Sequence, residues 1–123
     1  MYGLPKDIDV SFFVGKTLNV VSFAVNVSHL NFDSEVRISI ESSFQLQEKH
    51  DVEHSQMGTK QSVYLIQASS LMQLAGQSVI AATGAEDGTL SLFFERGQVL
   101  HCLDDLSGYE CYNFSDGKQL WIV

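Results

Sequence analysis

Hydrophobic and polar positions alternate most regularly between His29 and Glu41. His29-Leu30-Asn31-Phe32 alternates, Asp33-Ser34-Glu35 supplies a turn, and Val36-Arg37-Ile38-Ser39-Ile40-Glu41 alternates again without a break. A period of two marks a strand with one buried face. Leu30, Phe32, Val36, Ile38 and Ile40 are therefore expected inside, with Arg37 and Ser39 at the surface. Upstream, Thr17-Leu18-Asn19-Val20-Val21-Ser22-Phe23 is rich in β-branched and aromatic residues, which suit a pleated surface. Together these segments predict an antiparallel meander from Thr17 to about Phe44.

The second half repeats the pattern. Gly76-Gln77-Ser78-Val79 matches Gly15-Lys16-Thr17-Leu18, and the segment from Leu90 to Gly97 matches Ser28 to Glu35. Val99-Leu100-His101-Cys102-Leu103-Asp104 aligns with Val36 to Glu41, which sets His101 on Ile38 and Leu103 on Ile40. Phe94 falls on Phe32, so both are expected in matching core positions. Neither meander could close a core alone, so the halves, about 15–44 and 76–114, are expected to pack together or to merge into one sheet.

Between them Gln45 to Ser62 is polar and reads as a surface excursion. Val63-Tyr64-Leu65-Ile66 fits a strand or a first helical turn equally. Ser69 to Ala75 predicts the main helix, capped by Ser69 and ended by Gly76, and Asp9 to Gly15 an equivalent single turn. Glu86-Asp87-Gly88, Asp105 to Gly108 and Ser115 to Lys118 are turn signals between further strand material. The fold class expected is α+β: mainly antiparallel sheet from an internally duplicated meander, with one main short helix.

Composition narrows the function. The chain has 123 residues, enough for one domain spanning 1–123. Its net charge of −8 argues against nucleic acid and anionic membrane as partners, since both need clustered cations. No apolar run approaches the ~20 residues of a membrane-spanning helix, and no secretory signal pattern opens the chain. A cytoplasmic protein with reduced thiols is expected. A cationic protein is the partner that suits this charge; a homodimer is compatible with the sequence without following from it.

Four constellations carry candidate chemistry. His50-Asp51-Val52-Glu53-His54 fits H-x-x-E-H, but the segment has almost no apolar face to hold a helix, and no third ligand is identifiable. No metal site and no cofactor is therefore expected. His101 and Cys102, adjacent in a strand, point to opposite faces and cannot form a nucleophile–base pair; His101 is expected half-buried on the core face. A two-residue loop at Leu106-Ser107 would set Cys102 opposite Cys111 and Asp104 opposite Tyr109. Last, Asp104, Asp105 and Glu110 gather at this hairpin, with Glu41 ending the equivalent first-half strand. Such acids can hold a basic partner or act as acid and base.

Gly15-Lys16-Thr17-Leu18, Asp87-Gly88-Thr89-Leu90-Ser91-Leu92, Asp104-Asp105, Tyr109-Glu110-Cys111-Tyr112 and Trp121-Ile122-Val123 resemble a bacterial family of small proteins of unknown function. The resemblance implies a fold and carries no catalytic residues. Proteins of this character often accompany bacterial toxin systems as immunity proteins, an analogy of size and character. The expectation is a non-enzymatic bacterial interaction protein, with inhibition of a basic toxin as its most concrete form. Asp104, Asp105 and Glu110 would make the contact, and Tyr109 or Tyr112 would anchor it. The alternative is a small-ligand-binding domain or modest enzyme using the same acids.

Overall fold

Alternation at period two runs through both halves, and strands form wherever it does. The computed structural model describes residues 4–48, 64–65, 67–105 and 110–123. Among these, sheet one takes β1 (Leu18–Ala24), β2 (Val27–Phe32), β3 (Arg37–Ile40), β9 (Tyr112–Ser115) and β10 (Leu120–Ile122), in that order. Sheet two is ordered β5 (Tyr64–Leu65), β4 (Phe44–Gln47), β8 (Val99–Cys102), β7 (Leu90–Phe94) and β6 (Val79–Gly84). Every strand pairing is antiparallel. The fold is α+β and mainly antiparallel sheet, with helix among the described residues in 3₁₀ segments at Ser11–Phe13, Asp33–Glu35 and Ala68–Leu74. Among the described residues no helix is long and apolar enough to cross a membrane.

Each half builds a three-stranded meander and then sends its next strand into the other sheet. β4 leaves the first meander to pair with β8, and β9 leaves the second to pair with β3. The registers agree in detail: Leu30 faces Ile38 where Leu92 faces Leu100, and the first strand of each meander carries a bulge, Leu18/Val20 and Val79/Ala81. The halves meet through reciprocal backbone bonds. Gly15 N–H donates to Val79 O and Gly76 N–H to Leu18 O, both at 2.8 Å. Thr17 and Ser78 hydroxyls touch at 2.9 Å between them, on an approximate two-fold axis. Gly15 and Gly76 follow their 3₁₀ segments at φ of +86° and +87°, a conformation that glycine adopts without Cβ strain.

One core serves both sheets. Leu30, Phe32, Val36, Ile38 and Ile40 are buried as their alternation requires, and Arg37 is exposed. Phe32 and Phe94 are 5% and 0% exposed and occupy corresponding register positions. Phe13 adds an edge-on contact to Phe32 at 5.8 Å, and Phe114 stacks with Trp121 at 5.2 Å.

Four expectations need correction. Gln45, Leu46 and Gln47 are not excursion but the body of β4, with Leu46 fully buried. Phe44-Gln45-Leu46-Gln47 is itself an alternating run, and its polar members face away from the core. Second, the strand at Val99 is shifted by one residue: Leu100 matches Ile38, His101 matches Ser39 and Cys102 matches Ile40. His101 is thus half-buried on the outer face, while Leu100 and Cys102 point inward. Third, Cys102 lies between Phe44 and Leu90 in sheet two, whereas Cys111 leads into β9 of sheet one. The two cysteines do not face each other across a hairpin; the pairing of Asp104 with Tyr109 falls on a residue outside those described. Fourth, the segment Ala68–Leu74 is 3₁₀ and begins after Gln67 with no side-chain cap, although Leu71 and Leu74 are buried as expected. Tyr64–Leu65 is strand. His50, His54, Leu106, Ser107 and Tyr109 lie outside the described residues.

Candidate functional site

Glu41-Ser42-Ser43 interrupts two alternating runs and carries the chain from sheet one to sheet two. Its backbone is fixed by the matching crossover: Glu41 N–H and Ser42 N–H both donate to Cys111 O, at 2.9 and 3.0 Å, and Leu103 N–H donates to Ser43 O at 3.1 Å. Above it stands the β1–β2 hairpin, turned by Val25 and by Asn26 at φ +62°. Between hairpin and crossover lies an open groove of about 940 Å³, walled by Phe23, Asn26, Val27, Glu41, Ser42, Phe44, Ser69 and Asp105. No lysine or arginine is among its described lining residues. Phe23 is 45% exposed there, and Val25 at the hairpin tip is 88% exposed.

The acids at the crossover differ in surroundings. Asp105 is exposed and accepts the Ser42 hydroxyl at 3.0 Å. Glu41 bonds carboxyl to carboxyl with Glu110, which together with burial and the like charge holds Glu41 above the usual carboxylate range. Glu110 also accepts from Asn113 Nδ2 at 2.5 Å. Asp104 turns away from the groove, where Cys111 Sγ donates to its Oδ1 at 3.5 Å. The sequence-predicted acids are therefore split: Asp105 reaches the groove, Glu110 touches it through Glu41, and Asp104 does not take part.

Tyr112 corrects the expectation of a surface anchor. Its side chain is 0% exposed and its hydroxyl donates to Gly88 O at 2.7 Å. Burial, followed by neighbouring negative groups, pushes its phenol well above the ordinary value. Asp104 packs on the same turn, so close that a Cβ on Gly88 would sit 2.6 Å from Asp104 Oδ2.

Among the described residues, these contacts explain why the groove at this corner is larger than the cleft at the corresponding one. By register, Phe44 stands in sheet two where Tyr112 stands in sheet one. Gly88 and Asn26 are the left-handed residues of the corresponding hairpins. Around Gly88 the turn itself is closed, since Tyr112 bonds it and Asp104 fills beneath it. What remains beside it is a smaller cleft of about 380 Å³ between residues 4–8 and 84–86. Around Asn26 the same corner holds Phe44, which has no hydroxyl, and Ser42, which is two heavy atoms shorter than aspartate. The corner is left open. Phe23 and Ser42 were not singled out by sequence reasoning; the signal for Ser42 is the polar triplet between two alternating runs.

The other candidates have structural partners. His29 Nδ1 meets Ser39 Oγ at 2.9 Å and His101 Nδ1 meets Ser91 Oγ at 2.8 Å, an exchange of the two residue types between matching positions. The remaining His101 nitrogen faces Gln47 at 3.4 Å rather than a carboxylate, so this serine and histidine lack the acid that orients a catalytic triad. Burial lowers the pKa of His101 and raises that of Cys102 to about 12, which keeps the thiol protonated. Among the described residues, no group of three or more histidines, cysteines or acids is arranged to hold a metal ion.

Comparison with known proteins finds no match among curated proteins or solved structures. A family model does match over residues 10–122, nearly the whole chain, and on that ground the protein belongs to DUF6188, a family of unknown function.

Proposed function

We propose that this protein is a non-enzymatic binding protein whose groove takes a cationic segment of a protein partner. The observation that carries the reading is the open corner beneath the β1–β2 hairpin: a concave surface with Glu41 and Asp105 on its wall, an exposed aromatic at its rim, and no described basic residue. The net charge of −8 adds a field that speeds encounter with a basic surface. Inhibition of a basic toxin in the bacterial cytoplasm is the most concrete form of this activity. Toxic nucleases are cationic because they hold phosphates, so an acidic inhibitor can cover the surface that substrate uses. The corresponding halves of the chain fit descent from one duplicated unit, of which one groove was kept and its twin narrowed.

A second reading rests on the Glu41–Glu110 contact. Two carboxyls in contact beside a concavity, one of them held above the ordinary range, are also how a small-ligand site or a modest enzyme would present acid and base. The two readings separate in one experiment. Affinity capture from the native host's lysate is run with the wild type and with Glu41→Gln/Asp105→Asn. A basic protein retained by the first, lost by the second and released by salt supports the binding reading. Capture of an acidic protein, or of a partner indifferent to salt and to both substitutions, refutes it.

A further inference from the structure

Beyond the groove itself, the strand leading into it is built for pairing. β1 is the terminal strand of sheet one and, at Leu18–Ala24, the longest strand described. Sheet edges expose unpaired backbone donors and acceptors, and folded proteins usually blunt them with charge, proline or brevity. β1 has none of these: Leu18-Asn19-Val20-Val21-Ser22-Phe23-Ala24 contains no charged residue and no proline. Leu18 is bonded to Gly76 and Gln77 of the other half, which leaves the edge from Asn19 to Ala24 beyond it, where Val20 and Phe23 are 51% and 45% exposed. Its counterpart β6 is shorter and ends at Gly84, whose open side is approached by Leu4 and Ile8.

We infer that β1 accepts an extended basic segment of the partner as a sixth strand of sheet one. This rests on the groove reading and adds its mode of recognition. The geometry joins the two features, because Phe23 and Ala24 are both the end of β1 and the near wall of the groove. A segment paired along β1 ends beside Phe23 and Ala24, at the wall of the groove that Glu41 and Asp105 also line. Strand addition supplies affinity through main-chain bonds and leaves specificity to alternate side chains. Lysine or arginine at alternate positions, with apolar residues between, fits this surface. Charge decides against a second copy as occupant: each chain carries −8, and no basic group lines the groove to receive its twin's acids.

The test uses a synthetic peptide of about ten residues alternating lysine and valine, and the same peptide methylated on alternate backbone nitrogens, with the full chain. Binding is measured by calorimetry, and amide exchange of β1 by NMR. The unmodified peptide is expected to bind one to one, to slow exchange at alternate β1 amides, and to bind about tenfold more tightly than the methylated form, since each strand bond lost weakens the pairing. Glu41→Gln/Asp105→Asn is expected to weaken both peptides. If methylation changes nothing and β1 amides exchange as before while the double variant still weakens binding, the edge inference fails and the groove reading stands. If binding is absent or indifferent to the double variant, both fail. Protection of β1 in a concentration-dependent dimer without peptide also overturns the inference, by giving the edge to a second copy.

Discussion

Tyr112→Phe removes one oxygen and nothing else. The ring stays in place, stacked on Phe114 at a centroid distance of 6.1 Å, and the volume of the core is unchanged. What is lost is the 2.7 Å bond from the hydroxyl to Gly88 O, in a buried setting. A buried carbonyl deprived of its donor costs about 1–3 kcal/mol, more than the net worth of an average hydrogen bond, because water cannot easily replace the partner. With a urea m-value of about 2 kcal/mol/M, the middle of the range for a small domain, the unfolding midpoint should fall by about 0.5–1.5 M with m unchanged. The reverse substitution is the control. Phe44→Tyr adds the hydroxyl at the corresponding position, where the groove has room for it, and should move the midpoint little. A Tyr112→Phe midpoint within error of wild type would refute the claim that this hydroxyl closes the second turn. A large loss from Phe44→Tyr would refute the correspondence of the two sites.

Phe94→Ala and Phe32→Ala should each cost about 3–5 kcal/mol by leaving a cavity in the shared core, measured by denaturant unfolding. Gly88→Ala should destabilise more than Gly15→Ala: both sit at positive φ, costing about 1–2 kcal/mol, but only at Gly88 does the new Cβ collide with Asp104, whereas Gly15 has open space. For pH, the folded state holds the Glu41 proton more tightly than the unfolded chain does. Its contribution to stability is therefore complete below the ordinary carboxylate pKa and falls as pH rises through the higher folded value. The wild type minus Glu41→Gln difference in unfolding free energy should show this decline on raising pH; a flat difference would show that Glu41 is not held above the ordinary range.

Local order in the sequence carried the meanders. His29–Phe32 and Val36–Glu41 alternate, and a strand with one buried face reads directly from such a pattern; Leu90–Phe94 and Val99–Cys102 are more continuously apolar, so their phase is less plain. Matching Val99 to Val36 by residue type slipped the second copy by one position, which turned His101 inward on paper. In a strand a slip of one residue reverses every side chain, and the burial of Leu100 and Cys102 sets the true phase. The exchange of β4 and β9 between sheets was not legible. Strand propensity says where a strand is, not which sheet receives it, and here the reciprocal bonds of Glu41 and Leu103 across the crossovers decide. The same exchange undid the cysteine hairpin and the gathering of Asp104, Asp105 and Glu110. Those three acids are neighbours in sequence but face three different environments, while Glu41, distant in sequence, is the one that joins Asp105 in the groove. Tyr112 shows the limit most plainly: an amphipathic residue near a strand end reads as a surface anchor or a core ring with equal ease, until the position of Gly88 is known.

The most direct test of the groove is a backbone amide NMR titration with the captured basic partner, or with a basic peptide cut from it, at low and high salt. Shifts should concentrate at Phe23 to Ser28, Glu41 to Gln45 and Ala68 to Ser69, the segments that wall the groove, and should shrink as salt is raised. Shifts confined to the closed turn around Gly88 and Asp104, or to the outer faces around His29 and His101, with no dependence on salt, would contradict an acidic groove as the binding site.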